Sequence, residues 1–245
     1  MFDAFIEEEK TRDVSEYGVC TTEEKTEEIK EYEIRFLDES DLEQVLGLQD
    51  IVINNLTDFT SYYVEPEVFF RKQLAIKSSG IGLFHKHHLV GFNITTFPGL
   101  EEANLGADVG LDSLEQLQVA HIGPAAVHPD YRNKKIFSKL AKEHIKEIER
   151  LGYRHIFLTV APANYPTVKI FVNNGFVIRQ LKVKYNNLLR YIFHLDLKQC
   201  FKRPKYRVHI PNTDIESQKF IIDLGFYGYA AVKKQDGFEV VFGYE

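Results

Sequence analysis

The chain has 245 residues, a formal net charge of −6 and an apolar fraction of 44%. This composition is typical of a soluble globular protein with a sizeable core. It argues against a general nucleic-acid binder, because neutralising phosphates needs clustered lysine and arginine, and here the bases are interleaved with acids. No apolar run approaches the roughly 18 residues of a membrane span, and the acidic N-terminus is unlike a signal peptide. We therefore expect no membrane partner and a cytoplasmic location.

Cysteine and histidine usage gives no indication of a metal. Cys20 and Cys200 are far apart and lack metal-ligand spacing, so neither a disulfide framework nor a zinc site is indicated. His85, His87 and His88 lie at a predicted hairpin tip without a supporting carboxylate. Turn histidines are the better interpretation, and no metal is predicted.

The chain begins with a predicted acidic arm. Residues 1–29 are rich in Glu, Lys and Thr and show no sustained apolar face, which indicates an arm that is partly helical or disordered. Residues 31–37 alternate in period two and predict a strand. Asp38 or Ser40 is then the expected cap of a helix with apolar residues at helical spacing from Leu42 to Val52.

The next predicted elements are a helix over residues 66–79 and a hairpin of strands 81–86 and 89–96. Residues 100–113 then read as a loop insertion with two glycines. Acidic residues in and after this insertion would form a rim suited to a cationic amine, or serve only solubility: Glu101, Glu102, Asp108, Asp112 and Glu115.

From residue 116 the pattern alternates between strands and helices. The long amphipathic helix over residues 133–152 is apolar on one face, so it is expected to pack on a sheet. The strand–helix–strand piece from residue 120 to 160 is expected to be parallel and right-handed. The predicted fold class is α/β, with a mixed central sheet flanked by helices over residues 30–198.

Residues 204–245 repeat the order of the preceding unit. A shift of 50 residues aligns Asn164 with Asp214 and Gly175 with Gly225, although identities are few. We predict an appended C-terminal βαββ subdomain. It is either a partial duplicate of residues 154–195 or an independent use of the same βαββ arrangement.

The stretch VHPDYRNKKIF, residues 127–137, points to an anion site. An apolar strand here leads backbone amides and the two lysines Lys134 and Lys135 to the start of a helix. Free amides at a helix N-terminus and the helix dipole both favour negative charge. This arrangement suits a pyrophosphate.

Motifs before and after that helix resemble the GNAT acetyltransferase superfamily. Pro129 and Tyr131 introduce the helix, and the Asn164 loop and the Gly175–Phe176 pair follow it in the expected order. The resemblance covers roughly residues 32–197. It implies acetyl-CoA, or another acyl-CoA, as cosubstrate. It also implies a set of cofactor-binding residues along one strand, the helix start and the following loop: Ala125, Ala126, Val127, Arg132, Asn133, Lys134, Lys135, Ile136, Phe137 and Asn164.

Two residues depart from the family pattern at the helix start. Lys135 and Phe137 occupy positions where the family uses small residues, usually glycine, to make room for the phosphates. Either Lys135 swings outward and adds charge beside the phosphates, or the site has lost its cofactor.

The resemblance also suggests catalytic residues. His121 is a candidate general base, because imidazole titrates near neutral pH, and the alternative is an ordinary strand residue. The family tyrosine that protonates the departing thiolate is replaced by Phe171. Tyr165 and Tyr185 are candidate substitutes, and the alternative for each is an ordinary packing role.

The resemblance implies an acyl-CoA-dependent N-acyltransferase, most simply an N-acetyltransferase acting on a primary amine of a small molecule. One alternative is a non-catalytic GNAT-like protein that binds acyl-CoA or a partner. Another is transfer of a longer acyl chain. A homodimer is left open.

Overall fold

The computed structural model describes residues 32–101, 103–185, 187–199 and 204–244. The predicted acidic arm, both cysteines and Glu102 lie outside these residues. The described strands are β1 Tyr32–Phe36, β2 Gly80–His85, β3 His88–Thr96, β4 Val119–Val127, β5 His155–Val160, β6 Val177–Lys184, β7 Leu188–Asp196, β8 Tyr206–Pro211, β9 Tyr227–Lys234 and β10 Gly237–Tyr244. The described helices are α1 Leu42–Asn54, α2 Glu67–Leu74, α3 Leu105–Asp108, α4 Ser113–Gln116, α5 Ile136–Arg150, α6 Tyr165–Asn173 and α7 Ile215–Asp223.

The described strands form one mixed sheet in the order β1-β2-β3-β4-β5-β7-β6-β9-β10-β8. The β4–β5 pair is parallel, as predicted, and the other neighbouring pairs are antiparallel. Leu83 packs in an apolar cluster with α5, whereas Phe84 packs with α1 and α2. Successive strand residues point to opposite faces, so these helices cover opposite sides of the sheet. The predicted α/β class, with a helix-flanked mixed sheet and a C-terminal βαββ unit, is confirmed.

Asp38 forms a cap as predicted, but of a short turn before α1 and not of α1 itself, and α2 is shorter than predicted. The Asp38 carboxylate accepts a hydrogen bond from the Ser40 amide at 2.9 Å and starts a short 3₁₀ turn that leads into α1. Helix α2 ends at Leu74 instead of residue 79. Ser78 has a left-handed φ of 67°, and the Ser79 hydroxyl donates to the Gln73 carbonyl. This backbone conformation and this hydrogen bond turn the chain towards β2 and end the helix early.

The predicted loop insertion contains two short helices, α3 and α4. Leu105 is buried in a cluster with Val119 and Phe157 of the sheet. The Asn104 side chain donates to the carbonyls of Gly99 (2.6 Å) and Gln116 (3.0 Å). The insertion is therefore closed on itself and anchored to the sheet.

The C-terminal unit β8-α7-β9-β10 has the same order of elements as β5-α6-β6-β7. Strands β6 and β9 lie side by side and antiparallel, and Ile178 pairs with Gly228, which is 50 residues later. Each of these strands carries one extra residue at a register shift, Arg179 in β6 and Tyr229 in β9. A Cβ atom on Gly228 would lie 3.0 Å from Ile178 Cδ1, so glycine permits the close approach. The strand order of the two units is mirrored about the β6–β9 pair, with β5-β7-β6 on one side and β9-β10-β8 on the other, and this antiparallel pair joins equivalent strands.

The C-terminal unit shares the core of the preceding unit. Val168 of α6, Ile222 of α7 and Phe238 of β10 belong to one apolar cluster. The buried Tyr191 hydroxyl donates to Gln218 Oε1 at 2.6 Å across the two units. None of the described helices is long and apolar enough to cross a membrane.

Candidate functional site

A cleft opens where β4 and β5 diverge. The two strands pair only from Val119 to His121 of β4, although β4 continues to Val127. A cavity of about 330 Å³ lies at this divergence. Side chains from β4, β5, the starts of α5 and α6, the β6–β7 turn and the segment before α2 line the cavity.

The N-terminus of α5 has the properties of an anion site. Its first turn has no side-chain cap and no acidic residue, so amides there are available to a ligand. Lys135 precedes the helix with a left-handed φ of 59°, and Asn133 has a φ of 63°. Glycine adopts this conformation without strain, which explains why a small residue suits the Lys135 position. Lys135 is exposed and is not among the residues that line the cavity.

The other predicted cofactor-binding residues differ in their burial and in whether they line the cavity. Ala125, Phe137 and Asn164 line the cavity. Ala126 and Ile136 are buried in apolar clusters beside β2 and β3. Val127 is half-buried. Arg132, Asn133 and Lys134, just before the helix, are exposed to solvent and do not line the cavity.

Asn164 also caps α6. Its Oδ1 accepts a hydrogen bond from the Thr167 amide at 3.2 Å. The loop that carries Asn164 is held from the C-terminal unit, because Asn212 Nδ2 donates to the Pro162 carbonyl at 3.3 Å. The position of this side of the cleft thus depends on residues beyond 204.

The surroundings of His121 speak against its predicted role as base. His121 lines the cavity, but its Nε2 accepts a hydrogen bond from the Leu105 amide at 3.1 Å. The neutral ring then carries its proton on Nδ1 and has no basic lone pair to offer. Burial lowers the pKa of His121 to about 4. Its amide partner lies in the insertion, and no sequence spacing indicated that contact.

The two candidate tyrosines lie in different places. Tyr165 packs on Phe238 with ring centroids 5.0 Å apart and does not line the cavity. Tyr185 lines the cavity, stacks on Tyr63 at 5.0 Å and accepts a hydrogen bond from Thr159 Oγ1 at 3.2 Å. Burial raises the pKa of Tyr185, so the phenol keeps its proton at neutral pH. Of the two, only Tyr185 is placed to give a proton to a group in the cleft.

Glu65 is a cavity residue that the sequence analysis missed. It lines the cleft, and burial raises its pKa from the usual 4.5 to about 7. The buried side chain of Gln49 holds its backbone, with Nε2 donating to the Glu65 carbonyl at 3.0 Å and Oε1 accepting from the Glu65 amide at 3.2 Å. A carboxyl group with this pKa can exchange a proton near neutral pH. In the sequence, only its place before the Pro66 helix start set it apart.

Arg190 is a second missed residue. It lines the cavity although only 4% of its surface is exposed. Its Nη1 donates to the Leu189 carbonyl at 2.9 Å. Burial lowers its pKa. The available signal was a lone charge within the apolar strand sequence LLRYIF.

The acids of the insertion are engaged in other contacts. Asp108 forms ion pairs with Lys182 at 3.1 Å and with Lys184. Asp112 caps α4 by accepting hydrogen bonds from two backbone amides. Of the predicted acidic rim, Asp108 is therefore neutralised by lysines and Asp112 is used as a helix cap. Among the described residues, no cluster of His, Cys, Asp or Glu side chains could hold a metal ion.

Comparisons with known proteins agree with this architecture. Three solved structures are similar over most of their own length. An acetyltransferase from Salmonella typhimurium, solved with acetyl-CoA, is 14% identical, with a TM-score of 0.52, covering 71% of this chain and 99% of that one. A GNAT acetyltransferase from Streptococcus pneumoniae is 18% identical, with a TM-score of 0.52, covering 68% and 99%. The diaminobutyrate acetyltransferase of Paenibacillus lautus, solved with diaminobutyric acid and coenzyme A, is 13% identical, with a TM-score of 0.52, covering 70% and 99%.

At these identities the solved structures establish the fold and nothing finer. No curated protein matches the sequence. The sequence profile of the Acetyltransferase (GNAT) family matches residues 52–176, just over half of the chain. The chain therefore belongs to the GNAT acetyltransferase family.

Proposed function

We propose that this protein transfers an acetyl group from acetyl-CoA to a primary amine of a small molecule. The observation that carries the proposal is the cavity between β4 and β5. It is lined both by Phe137, in the uncapped first turn of α5, and by Glu65. An anion site for the cosubstrate and a carboxyl group able to take a proton therefore meet in one cleft.

Acetyl-CoA fits the residues around this cleft. Amides in the first turn of α5, together with Lys134 and Lys135, would hold its phosphates. Backbone groups of β4 around Ala125 face the divergence from β5 and would pair with the pantetheine arm. Acetyl-CoA bound to the Salmonella typhimurium structure and coenzyme A bound to the Paenibacillus lautus structure support this choice of cosubstrate.

The proposed reaction is a direct transfer. The Glu65 carboxylate removes a proton from the acceptor ammonium, and the free amine attacks the thioester carbonyl. A C–N bond forms and the C–S bond breaks, with the bonding electron pair leaving on sulfur. As the tetrahedral intermediate collapses, the nitrogen loses its second proton, which passes to the thiolate through Tyr185 or water. Because a free thiol has a pKa of about 8.5, the thiolate leaves without a strong acid. Holding the amine against the carbonyl supplies much of the rate.

Binding of acetyl-CoA is expected to raise the thermal unfolding midpoint, because a ligand that binds only the folded state stabilises it. At 100 times the dissociation constant the gain is about 2.7 kcal/mol. Release of free thiol in the presence of an amine panel then measures transfer. No shift at millimolar acetyl-CoA would contradict the proposal.

Lys135→Gly is expected to stabilise the fold and weaken acetyl-CoA binding. Relieving the left-handed conformation of a non-glycine residue raises the free energy of unfolding by about 1–2 kcal/mol. The larger conformational entropy of glycine in the unfolded chain cancels about half of this gain. Loss of the lysine charge should lower affinity several-fold at low salt and less at high salt. Chemical denaturation and titration with acetyl-CoA measure the two effects. Lys142→Gln, an exposed change further along α5, is the control, and tighter binding by Lys135→Gly would show that Lys135 blocks the phosphates.

A non-catalytic acyl-CoA-binding protein is the second candidate. Phe171 lines the cavity at the family tyrosine position and has no proton to give. This candidate differs from the first in one measurement, since it expects an acetyl-CoA-induced shift without thiol release for any amine. Transfer of a longer acyl chain stays a prediction from the sequence.

We propose that residues 204–245 are a partial duplicate of residues 154–195 and belong to the same folding unit. The paired Ile178 and Gly228 and the matching helix caps Asn164 and Asp214, each 50 residues apart, support the duplication. Shared apolar packing supports a single folding unit. A homodimer and a cytoplasmic location stay predictions.

A further inference from the structure

We infer that Arg190 binds a carboxylate of the acceptor, so that the acceptor is an amine that also carries a carboxylate, as an amino acid does. The inference rests on the proposed function, because it concerns the acceptor of that reaction. The proposed acceptor class is thereby restricted from primary amines in general to primary amines that also carry a carboxylate.

The first support is the state of the Arg190 guanidinium. Removing a charged group from water is unfavourable unless an opposite charge or several hydrogen bonds compensate. Within the described part of the chain, the guanidinium donates one hydrogen bond, to the Leu189 carbonyl, and forms no ion pair. A guanidinium has five N–H donors, and two of them match the two oxygens of a carboxylate. A carboxylate in the cavity would therefore supply the missing partner.

Asp58, the acid whose charge acts on Arg190, is already engaged. The Arg190 charge contributes to lowering the pKa of Asp58, whose main cause is hydrogen bonding by Thr60. Asp58 Oδ1 accepts from the Thr60 amide at 2.8 Å and from the Thr60 hydroxyl at 2.7 Å. Asp58 is exposed, caps a short turn and is not among the residues that line the cavity.

The second support is a negative group in the same cavity. Glu65 and Arg190 both line it, yet they form no ion pair with each other. Burial is the largest cause of the raised pKa of Tyr185. The charge of Glu65 raises that pKa further and the charge of Arg190 lowers it, so both charges act on the Tyr185 phenol. Two separated opposite charges around one tyrosine match a ligand with an ammonium at one end and a carboxylate at the other.

The test compares matched acceptors. Each of a set of L-amino acids is paired with its carboxamide and with its decarboxylated amine, and each is added to the full chain saturated with coenzyme A. We expect at least one amino acid to raise the unfolding midpoint more than its two partners. With acetyl-CoA, kcat/KM for thiol release should favour that amino acid by about 10- to 100-fold, the range of one charge-assisted bidentate contact.

Variants assign the effect to the side chain. Arg190→Gln should remove the preference for the carboxylate, whereas Arg190→Lys should keep part of that preference, because lysine keeps the charge but lacks the paired N–H donors of the guanidinium. Arg179→Gln, an exposed change on the neighbouring strand, is the control and should change nothing. Should Arg190→Gln fail to fold, the inference is tested by the acceptor preference of Arg190→Lys and by the comparison of matched acceptors with the wild-type chain.

The outcomes separate this inference from the proposed function. Equal binding and turnover of carboxylate and carboxylate-free amines would overturn the inference and leave amine acetylation standing. A preference for the carboxylate that survives in Arg190→Gln would also overturn it. Absence of an acetyl-CoA shift and of thiol release would overturn the proposed function, whereas the carboxylate-dependent midpoint shift is read without turnover.

Discussion

Replacing Glu65 with glutamine is expected to lower kcat/KM for amine acetylation by about 10²- to 10⁴-fold, the usual contribution of a general base. Glutamine keeps the size of the side chain and its hydrogen-bonding ability, but it cannot take a proton from the acceptor ammonium. Affinity for acetyl-CoA should change little. Steady-state thiol release and acetyl-CoA titration separate the two effects.

The pH dependence gives a second readout for Glu65. Its pKa of about 7 means that the active carboxylate is gained as pH rises, so wild-type kcat/KM should rise through pH 7 and then level off. Tyr62 and Tyr185 have raised pKa values and His121 titrates at about 4, so these cavity residues do not explain a limb near 7. Arg190 stays charged throughout this range. The limb should be absent in Glu65→Gln.

The same group affects folding stability. A carboxyl whose pKa is raised in the folded state favours folding when protonated, so stability is lost as pH rises between 4.5 and about 7. Glu65→Gln should remove that slope. Glu67→Gln is the matched control, because this exposed acid on α2 pairs only with Arg71 at the surface among described residues and should affect neither profile. Unchanged activity in Glu65→Gln would exclude Glu65 as the base.

Phe238→Ala is expected to lower the free energy of unfolding by about 3–5 kcal/mol, the usual cost of removing a buried phenylalanine side chain. Phe238 is 3% exposed and packs on Tyr165 of the preceding unit. If residues 204–245 belong to the same folding unit, the whole chain should unfold earlier in one transition. Denaturant unfolding followed by circular dichroism and by loss of acetyl-CoA binding should give the same transition midpoint.

Acetyl-CoA binding should also weaken in Phe238→Ala, because neighbouring Asn212 holds the Pro162 carbonyl beside Asn164. Phe220→Ala is the control, since Phe220 lies on α7 of the same unit but is 67% exposed. It should change stability by less than about 0.5 kcal/mol. Two separate transitions in Phe238→Ala, with normal acetyl-CoA binding, would instead identify the C-terminal unit as an independent appendage.

Local sequence patterns determined most of the fold. Period-two and helical spacing predicted most of the strands and helices, and the Asp38 cap could be placed because capping depends on neighbours within a few residues. The family resemblance of residues 127–137 predicted an anion site for the same reason, since a strand end and the helix start after it are adjacent in the chain. The 50-residue shift also anticipated the order of the C-terminal elements.

Contacts between distant segments were decided only by the tertiary structure. Glu65 and Arg190 lie 125 residues apart in the sequence and meet in one cavity, and burial changes their chemistry. The His121 Nε2 atom accepts a hydrogen bond from a backbone amide of the insertion, which argues against the predicted role of His121 as base. Periodicity reports which face of an element is apolar, but not which polar group from elsewhere covers it. The fold could therefore be predicted from the sequence, whereas the acid–base groups of the cleft depend on packing that brings separate segments together.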